Sequence, residues 1–243
     1  MAARDTDGYG RLIYDHYRGR PSAEVIERDD GWFSVSSGAP AYFAPFEDWP
    51  AHQRRAMRAV RGRVLDVGAG AGRVALHLQS RGHAVVAIDA SPLAIRTCRL
   101  RDVRDARVLP LAGVSARLGA FDTVVMLGNN FGLFGSPRRA RALLRRLHAL
   151  TSPRARIVAE TRNPYRGRTA ANRRYHERNR RRGRAAGQIR MRVRHGRACT
   201  AWFDYLFVSP REMKAIVAGT GWRMARTLDS GGPMYIAVLE KTG

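Results

Sequence analysis

Between residues 64 and 161 the apolar positions come as short continuous runs separated by stretches of helical spacing, the pattern of alternating strands and helices. Val64-Leu65-Asp66-Val67 is one such run. It passes straight into Gly68-Ala69-Gly70-Ala71-Gly72-Arg73, after which Val74, Ala75 and Leu78 share a helix face and Gly82 follows as a C-cap. Residues 84–89 read as a buried parallel strand, and Ser91-Pro92 starts the next helix with Ser as N-cap and Pro at the first helical position. Arg107-Val108-Leu109 predicts a third strand, residues 121–127 a fourth and residues 156–161 a fifth. Between the last two, Ser136-Pro137 opens a helix carrying Leu143, Leu144, Leu147 and Leu150, which Thr151-Ser152-Pro153 closes. Ser209-Pro210-Arg211-Glu212 is a capping box ahead of Met213, Ile216 and Val217, ended by Gly219 and Gly221. Residues 223–228 and 234–239 read as strands joined by Ser230-Gly231-Gly232-Pro233. The sum is an α/β fold, a doubly wound sheet with an antiparallel edge.

The glycine-rich turn after the first of these strands has the form of a nucleotide cradle. Gly68 and Gly70 let the backbone turn sharply and approach a ligand, and Gly72 lets the next helix pack tightly on the strand. A dinucleotide site wants Gly or Ala at position 73, where this chain has Arg73. Asp89, at the tip of the second strand, suits two ribose hydroxyls because a carboxylate accepts hydrogen bonds from both.

Asp66, Gly68, Gly70 and Gly72 together resemble motif I of the class I S-adenosylmethionine-dependent methyltransferases, an acid followed after one residue by Gly-x-Gly-x-Gly. Residues 121–132, ending in Gly128-Asn129-Asn130-Phe131-Gly132, resemble motif IV of that family. The amino-methyltransferases of DNA and protein place Asn or Asp, Pro-Pro and an aromatic there, so the departure argues against adenine N6 chemistry. Asn163-Pro164-Tyr165 follows the next strand and reads as a turn. The resemblance is good from residue 61 to 160 and fainter from 205 to 241. It implies a Rossmann-like seven-stranded sheet, S-adenosyl-L-methionine as cofactor and S-adenosyl-L-homocysteine as product. It assigns cofactor contacts to Asp66, Gly68, Ala69, Gly70, Arg73, Asp89, Ala90, Leu127, Gly128 and Asn129. Pro110-Leu111-Ala112 offers no acid for the adenine amino group, which leaves backbone near residues 113–115.

At 243 residues the chain fits one catalytic domain, residues 61–243, behind an N-terminal lid of residues 1–60 and with an Arg-rich insertion at 162–208. No apolar run approaches the roughly 20 residues of a membrane span. Met1-Ala2-Ala3-Arg4-Asp5 lacks the apolar segment of a secretory signal, so a cytoplasmic bacterial enzyme without membrane partners is expected. Cys98 and Cys199 read as packing residues, and no His, Asp, Glu and Cys cluster has metal-ligand spacing.

The formal net charge of +24 changes the picture. Arginine in place of lysine is what GC-rich codons produce, but so large a surplus attracts anions whatever its origin. Residues 166–197 hold thirteen arginines against Glu177 alone. Two readings stand: a solvated face, or a collar that attracts phosphate, carboxylate or nucleic acid. Tyr175 is the one aromatic among those arginines, which disfavours base stacking and specific RNA binding. Residues 189–194 alternate apolar and basic, turn at His195-Gly196 and resume at 201–207, a β-hairpin after the fifth strand. Trp202, Phe203 and Tyr205 then line an acceptor pocket or pack the core.

Residues 9–50 hold Tyr9, Tyr14, His16, Tyr17, Trp32, Phe33, Tyr42, Phe43, Phe46 and Trp49, either a lid over the cofactor mouth or a leader packed on the sheet. The expected function is methyl transfer to an oxygen or nitrogen of a small molecule or peptide, an anionic acceptor included. Weak candidates for base or orienting group are Tyr14, His16, Asn129, Asn130, Tyr165 and His176. The rivals are an RNA or ribosome-associated methyltransferase, disfavoured by the missing Pro-Pro motif, and a non-catalytic anion binder that retains the cofactor fold. Neither the acceptor nor the oligomeric state is legible.

Overall fold

Asp7 starts the first helix, α1 (Gly8–Tyr17), by accepting the Gly10 N–H at 2.9 Å. The chain then forms a hairpin of β1 (Glu24–Arg28) and β2 (Phe33–Ser36), the short helix α2 (Ala51–Met57), β3 (Val64–Val67), α3 (Arg73–Ser80), β4 (Val85–Asp89), α4 (Pro92–Leu100) and β5 (Ala106–Val108). It continues through β6 (Phe121–Met126), α5 (Pro137–Ala149), β7 (Thr151–Arg162), α6 (Ala170–Arg181), β8 (Gln188–His195), β9 (Ala198–Cys199) and β10 (Phe203–Leu206). Last come α7 (Pro210–Val217), β11 (Trp222–Asp229) and β12 (Met234–Lys241). The computed structural model describes residues 6–36, 38–167 and 169–242, so Met1 to Asp5, read above for a signal segment, and Arg168 lie outside the described residues.

Seven strands form one sheet in the order β11-β12-β7-β6-β3-β4-β5. β5 runs parallel to β4 and β7 parallel to β6, while β12 is antiparallel to both β7 and β11 and gives that edge its mixed character. The order reverses at β3: the chain lays β4 and β5 on one side of it, then β6 and β7 on the other. β3 and β4 are buried along their whole length, which is why their sequences are apolar runs rather than alternations. The helices bury the faces their spacing predicts, Val74, Ala75 and Leu78 on α3 and Leu143, Leu144 and Leu147 on α5. Ser91, Ser136 and Ser209 cap their helices, the last in a complete capping box with Glu212.

Two local expectations need correction. α5 ends at Ala149, just before Thr151-Ser152-Pro153 as expected, but those residues already form the first part of β7, and the Thr151 hydroxyl donates back to the Leu147 and His148 carbonyls. The leader holds a hairpin as well as a helix, and β1 pairs antiparallel with β8, so that the insertion hairpin and the leader share a second sheet, β10-β8-β1-β2 with β9 on β8. Glu24-Val25-Ile26-Glu27-Arg28 carries the apolar residues of a strand, but among so many aromatics its short period is easily overlooked.

By their contacts the residues fall into two units. One comprises Met1–Asp48, Asp66–Gly113 and Arg190–Phe203, the other Trp49–Leu65, Val114–Ile189 and Asp204–Gly243.

Candidate functional site

In the first unit the glycine turn lies at the C-terminal end of β3. Gly68, Gly70 and Gly72 all have positive φ, at 72°, 58° and 81°. Gly72 is the N-cap of α3, and a Cβ there would lie 2.7 Å from Val103 Cγ2 and 3.2 Å from Cys98 Sγ. Its neighbours are therefore the end of α4 and the segment after it rather than the strand the sequence suggested. The amides of the turn face β4: Gly68 and Ala69 donate to the Ile88 carbonyl at 2.9 and 3.0 Å, and Gly70 donates to Asp89 Oδ2 at 3.0 Å. A pyrophosphate site needs such amides turned toward its ligand. Here they are consumed within the protein, and what remains toward a ligand is carboxylate, which suits hydroxyl and ammonium donors.

Two buried acids supply those acceptors. Asp89 takes Gly70 N on one oxygen and Ser91 N, at 2.9 Å, on the other, and with Ala90 also donating to it the carboxylate keeps some accepting capacity for a ligand. Burial raises its pKa, and the backbone bonds from Ser91, Gly70 and Ala90 offset that only in part. Asp66 is 2 % exposed, and its Oδ2 has no hydrogen-bond partner. Burial drives its pKa up to about 7, with the Arg73 charge opposing and Asp89 adding to the rise. An orphaned buried carboxylate oxygen costs roughly 1–3 kcal/mol or more, a cost that a ligand's donor would relieve. The residues present thus fit a nucleoside cofactor with a cationic group, and Asp66 and Asp89 are the ones that would hold it.

The leader packs on this turn. Ile13, Ala71 and Ala94 form a buried cluster flanked by Tyr9, Tyr42 and Phe43, and a Cβ on Gly70 would lie 3.0 Å from the Tyr9 hydroxyl. Asp7, which the sequence reading passed over, fastens the arrangement: its Oδ2 accepts from Ser91 Oγ at 2.8 Å and Leu93 N at 3.1 Å. The signal was present as an acid three residues before Gly10. Cys98 is fully buried and donates its S–H to the Gly70 carbonyl at 3.3 Å, and burial raises its pKa to about 12, as befits a packing residue. Of the catalytic candidates in this unit, Tyr14 lies under the Arg96 guanidinium and His16 pairs with Ser22 Oγ at 3.0 Å while packing on Phe43. Trp202 lies under the Arg192 guanidinium.

In the second unit the loop after β6 turns left-handed twice in succession, at Gly128 (φ 72°) and Asn129 (φ 67°). Its anchor is Glu160, fully buried at the end of β7. Glu160 accepts Gly128 N at 2.5 Å, Gln53 Nε2 at 2.9 Å and His52 Nε2 at 2.7 Å. Burial alone would raise its pKa, but the bonds from His52, Gln53 and Gly128 hold it below the ordinary value. Sequence reading missed this cluster, though Glu160 closes an apolar strand just as Asp66 and Asp89 do. The Asn129 carbonyl accepts from the Tyr205 hydroxyl at 2.8 Å, and its side-chain Oδ1 is buried without a partner. Asn130 follows in a short 3₁₀ turn. Tyr165 donates to Glu212 at 2.6 Å and stands edge-on to buried His176 6.0 Å away; burial and then Glu212 raise the pKa of its hydroxyl, which suits a structural tie between the Asn163 turn and α7. The Tyr205 ring covers Gly132 so closely that a Cβ there would overlap it, while Phe203, which belongs to the first unit, is half-buried.

Residues 64–154 match the family model of a methyltransferase domain. Over 100 % of this chain and 98 % of its own, the structure is similar to an S-adenosylmethionine-dependent methyltransferase from Bacteroides fragilis in complex with S-adenosyl-L-homocysteine, at 26 % identity and a TM-score of 0.83. It is similar at the level of the fold to the CcbJ methyltransferase from Streptomyces caelestis (16 % identity, 98 % and 100 % covered, TM-score 0.66). The same holds for the 1,6-didemethyltoxoflavin-N1-methyltransferase from Burkholderia thailandensis (17 % identity, 100 % and 92 % covered, TM-score 0.54). Comparison with curated protein sequences gave no match.

Proposed function

Since the chain belongs to the class I S-adenosylmethionine-dependent methyltransferases, we propose that it methylates an oxygen or nitrogen of a small molecule or peptide. The observation that carries the cofactor half of this reading is the pair of buried acids beside a glycine turn whose amides are already used, Asp66 with an orphaned oxygen and Asp89 with accepting capacity to spare. Asp89 would take the ribose hydroxyls and Asp66 the cationic methionine end, with Gly68, Ala69, Gly70, Arg73 and Ala90 shaping the cradle.

Bound S-adenosylmethionine supplies a methyl carbon made electrophilic by the adjacent sulfonium. The chain's own residues then have to align the acceptor and exclude water, since the leaving group needs no help from an acid. Tyr9 and Tyr42 over the glycine turn are placed to keep water out. An amine acceptor must arrive neutral and a hydroxyl must lose its proton, tasks for which Tyr14, His16, Asn130 and His176 stay candidates and to which Tyr165, tied to Glu212, is poorly suited. The absence of Pro-Pro after Asn129 speaks for a small acceptor rather than a flipped base. Among the described residues no helix is long and apolar enough to cross a membrane. Labelled methyl donor incubated with fractionated cell extract should deposit label in the dialysable fraction. Label confined to RNA or to large proteins would overturn the small-molecule reading while leaving the family intact.

A further inference from the structure

The surplus positive charge is confined almost wholly to one of the two units. The second unit contains 28 Lys and Arg against 7 Asp and Glu, a net of +21, whereas the first contains 16 against 13, a net of +3. Between Asp122 and Glu177 the sequence has a single acid, Glu160, and it is fully buried. Within that stretch Arg156 pairs with Glu240 at 3.5 Å and Arg166 with Asp229 at 2.9 Å, both acids coming from later in the chain, and arginine still far outnumbers carboxylate. The outer face of α5 exposes Arg138, Arg139, Arg145 and Arg146, and α6 with the turn after it exposes Arg173, Arg174, Arg180, Arg181 and Arg182 around Glu177. Both helices are anchored from beneath, α5 by Leu143, Leu144 and Leu147 and α6 by Tyr175, His176 and Asn179, so these arginines stand on fixed supports.

What this surface lacks identifies its partner. The exposed large hydrophobics among the described residues are Tyr17, Trp32, Phe33, Val35, Leu100 and Val108, and all of them belong to the first unit. A protein partner would need apolar or aromatic anchors at the centre of its interface, and the second unit shows none. Single-stranded nucleic acid would need exposed rings for its bases, and the second unit's aromatics are buried or half-buried. A surface of guanidinium groups without either feature fits a regular array of phosphates. We propose that the second unit carries a docking surface for the phosphate backbone of duplex nucleic acid, independent of base sequence. It is a tether for the enzyme, and it goes beyond the methyl-transfer reading without assigning the nucleic acid as acceptor.

The test is fluorescence anisotropy of the full chain with a labelled mixed-sequence DNA duplex of about 20 base pairs, read over a salt series. Because each neutralised phosphate adds about 0.9 to the slope of log affinity against log salt, the slope should be about −4 or steeper, alike for two unrelated duplexes. The duplex should also bind more tightly than either of its single strands. Arg138→Gln/Arg139→Gln/Arg145→Gln on α5 and Arg174→Gln/Arg181→Gln/Arg182→Gln on α6 should each flatten the slope by about 1–3. The first-unit variant Arg99→Gln/Arg104→Gln/Arg107→Gln should leave it unchanged. Thermal melting with and without S-adenosylhomocysteine confirms that each variant is folded and still binds cofactor. The proposal fails if the duplex does not bind at low salt, or if both second-unit variants retain the parental slope. Tighter binding to single strands, to phosphatidylserine vesicles or to an acidic protein would assign the surface to another partner and overturn it. Cofactor binding enters none of these outcomes, so failure here leaves the methyltransferase reading untouched.

Discussion

Asp66 is the residue on which the chemistry of the cradle can be read most directly. Its folded pKa of about 7 stands above the ordinary carboxylate value because burial disfavours the charge. The protonated acid therefore favours the folded state. That contribution is complete below about pH 4 and is lost as pH rises through about 7. Ligand-free protein should melt several degrees lower at about pH 8 than at about pH 5, and Asp66→Asn should flatten this dependence; equal slopes in the two proteins would remove Asp66 from the account. Binding of a cationic group should pull the same pKa down. Calorimetry of S-adenosylhomocysteine near pH 7 in buffers of different ionisation enthalpy is thus expected to show proton release, absent in Asp66→Asn. Glu160 behaves in the opposite sense, because its bonds to His52, Gln53 and Gly128 keep it charged. Glu160→Gln retains the shape but turns a donor toward either His52 or the Gly128 amide, and should cost about 3 kcal/mol in denaturant unfolding. A loss under about 0.5 kcal/mol would mean that the cluster does not hold the loop.

At the scale of elements, the central strands and their helices were legible because burial on both faces writes them as unbroken apolar runs, as in β3 and β4, and because Ser91, Ser136 and Ser209 mark helix starts. The leader hairpin was not. β2 exposes Phe33 and Val35, so its apolar residues face solvent and do not report a core. Thr151-Ser152-Pro153 misled for a related reason: turn-forming residues begin β7 where it emerges from α5, and only the pairing with β6 overrides their local preference. The contacts of Asp7 and Glu160 were out of reach, since each joins residues far apart in sequence. Asp7→Ala removes the cap of α1 and its ties to Ser91 and Leu93. It should cost about 1–2 kcal/mol of stability and weaken S-adenosylhomocysteine binding by loosening Tyr9 over the turn. Unchanged cofactor affinity would detach the leader from the site. Gly72→Ala places a Cβ 2.7 Å from Val103 at a left-handed φ and should destabilise by about 1–3 kcal/mol, visible as a lowered denaturation midpoint.

For the whole molecule, the composition announced a cationic protein but not where the charge resides, because the two units interleave along the chain and only their contacts sort the arginines. The cofactor reading, by contrast, rests on a few positions, and isothermal titration calorimetry addresses it at once. S-adenosylhomocysteine should bind the parent protein with one site and micromolar affinity, and NAD should give no heat, because Gly68, Ala69 and Gly70 spend their amides on β4. Asp89→Asn, which keeps a carbonyl oxygen for one of the Gly70 and Ser91 amides, should weaken S-adenosylhomocysteine by about 1.5–3 kcal/mol, the worth of hydrogen bonds to a charged acceptor. Binding of NAD in place of S-adenosylhomocysteine, or an Asp89→Asn protein that binds S-adenosylhomocysteine as tightly as the parent, would contradict the account.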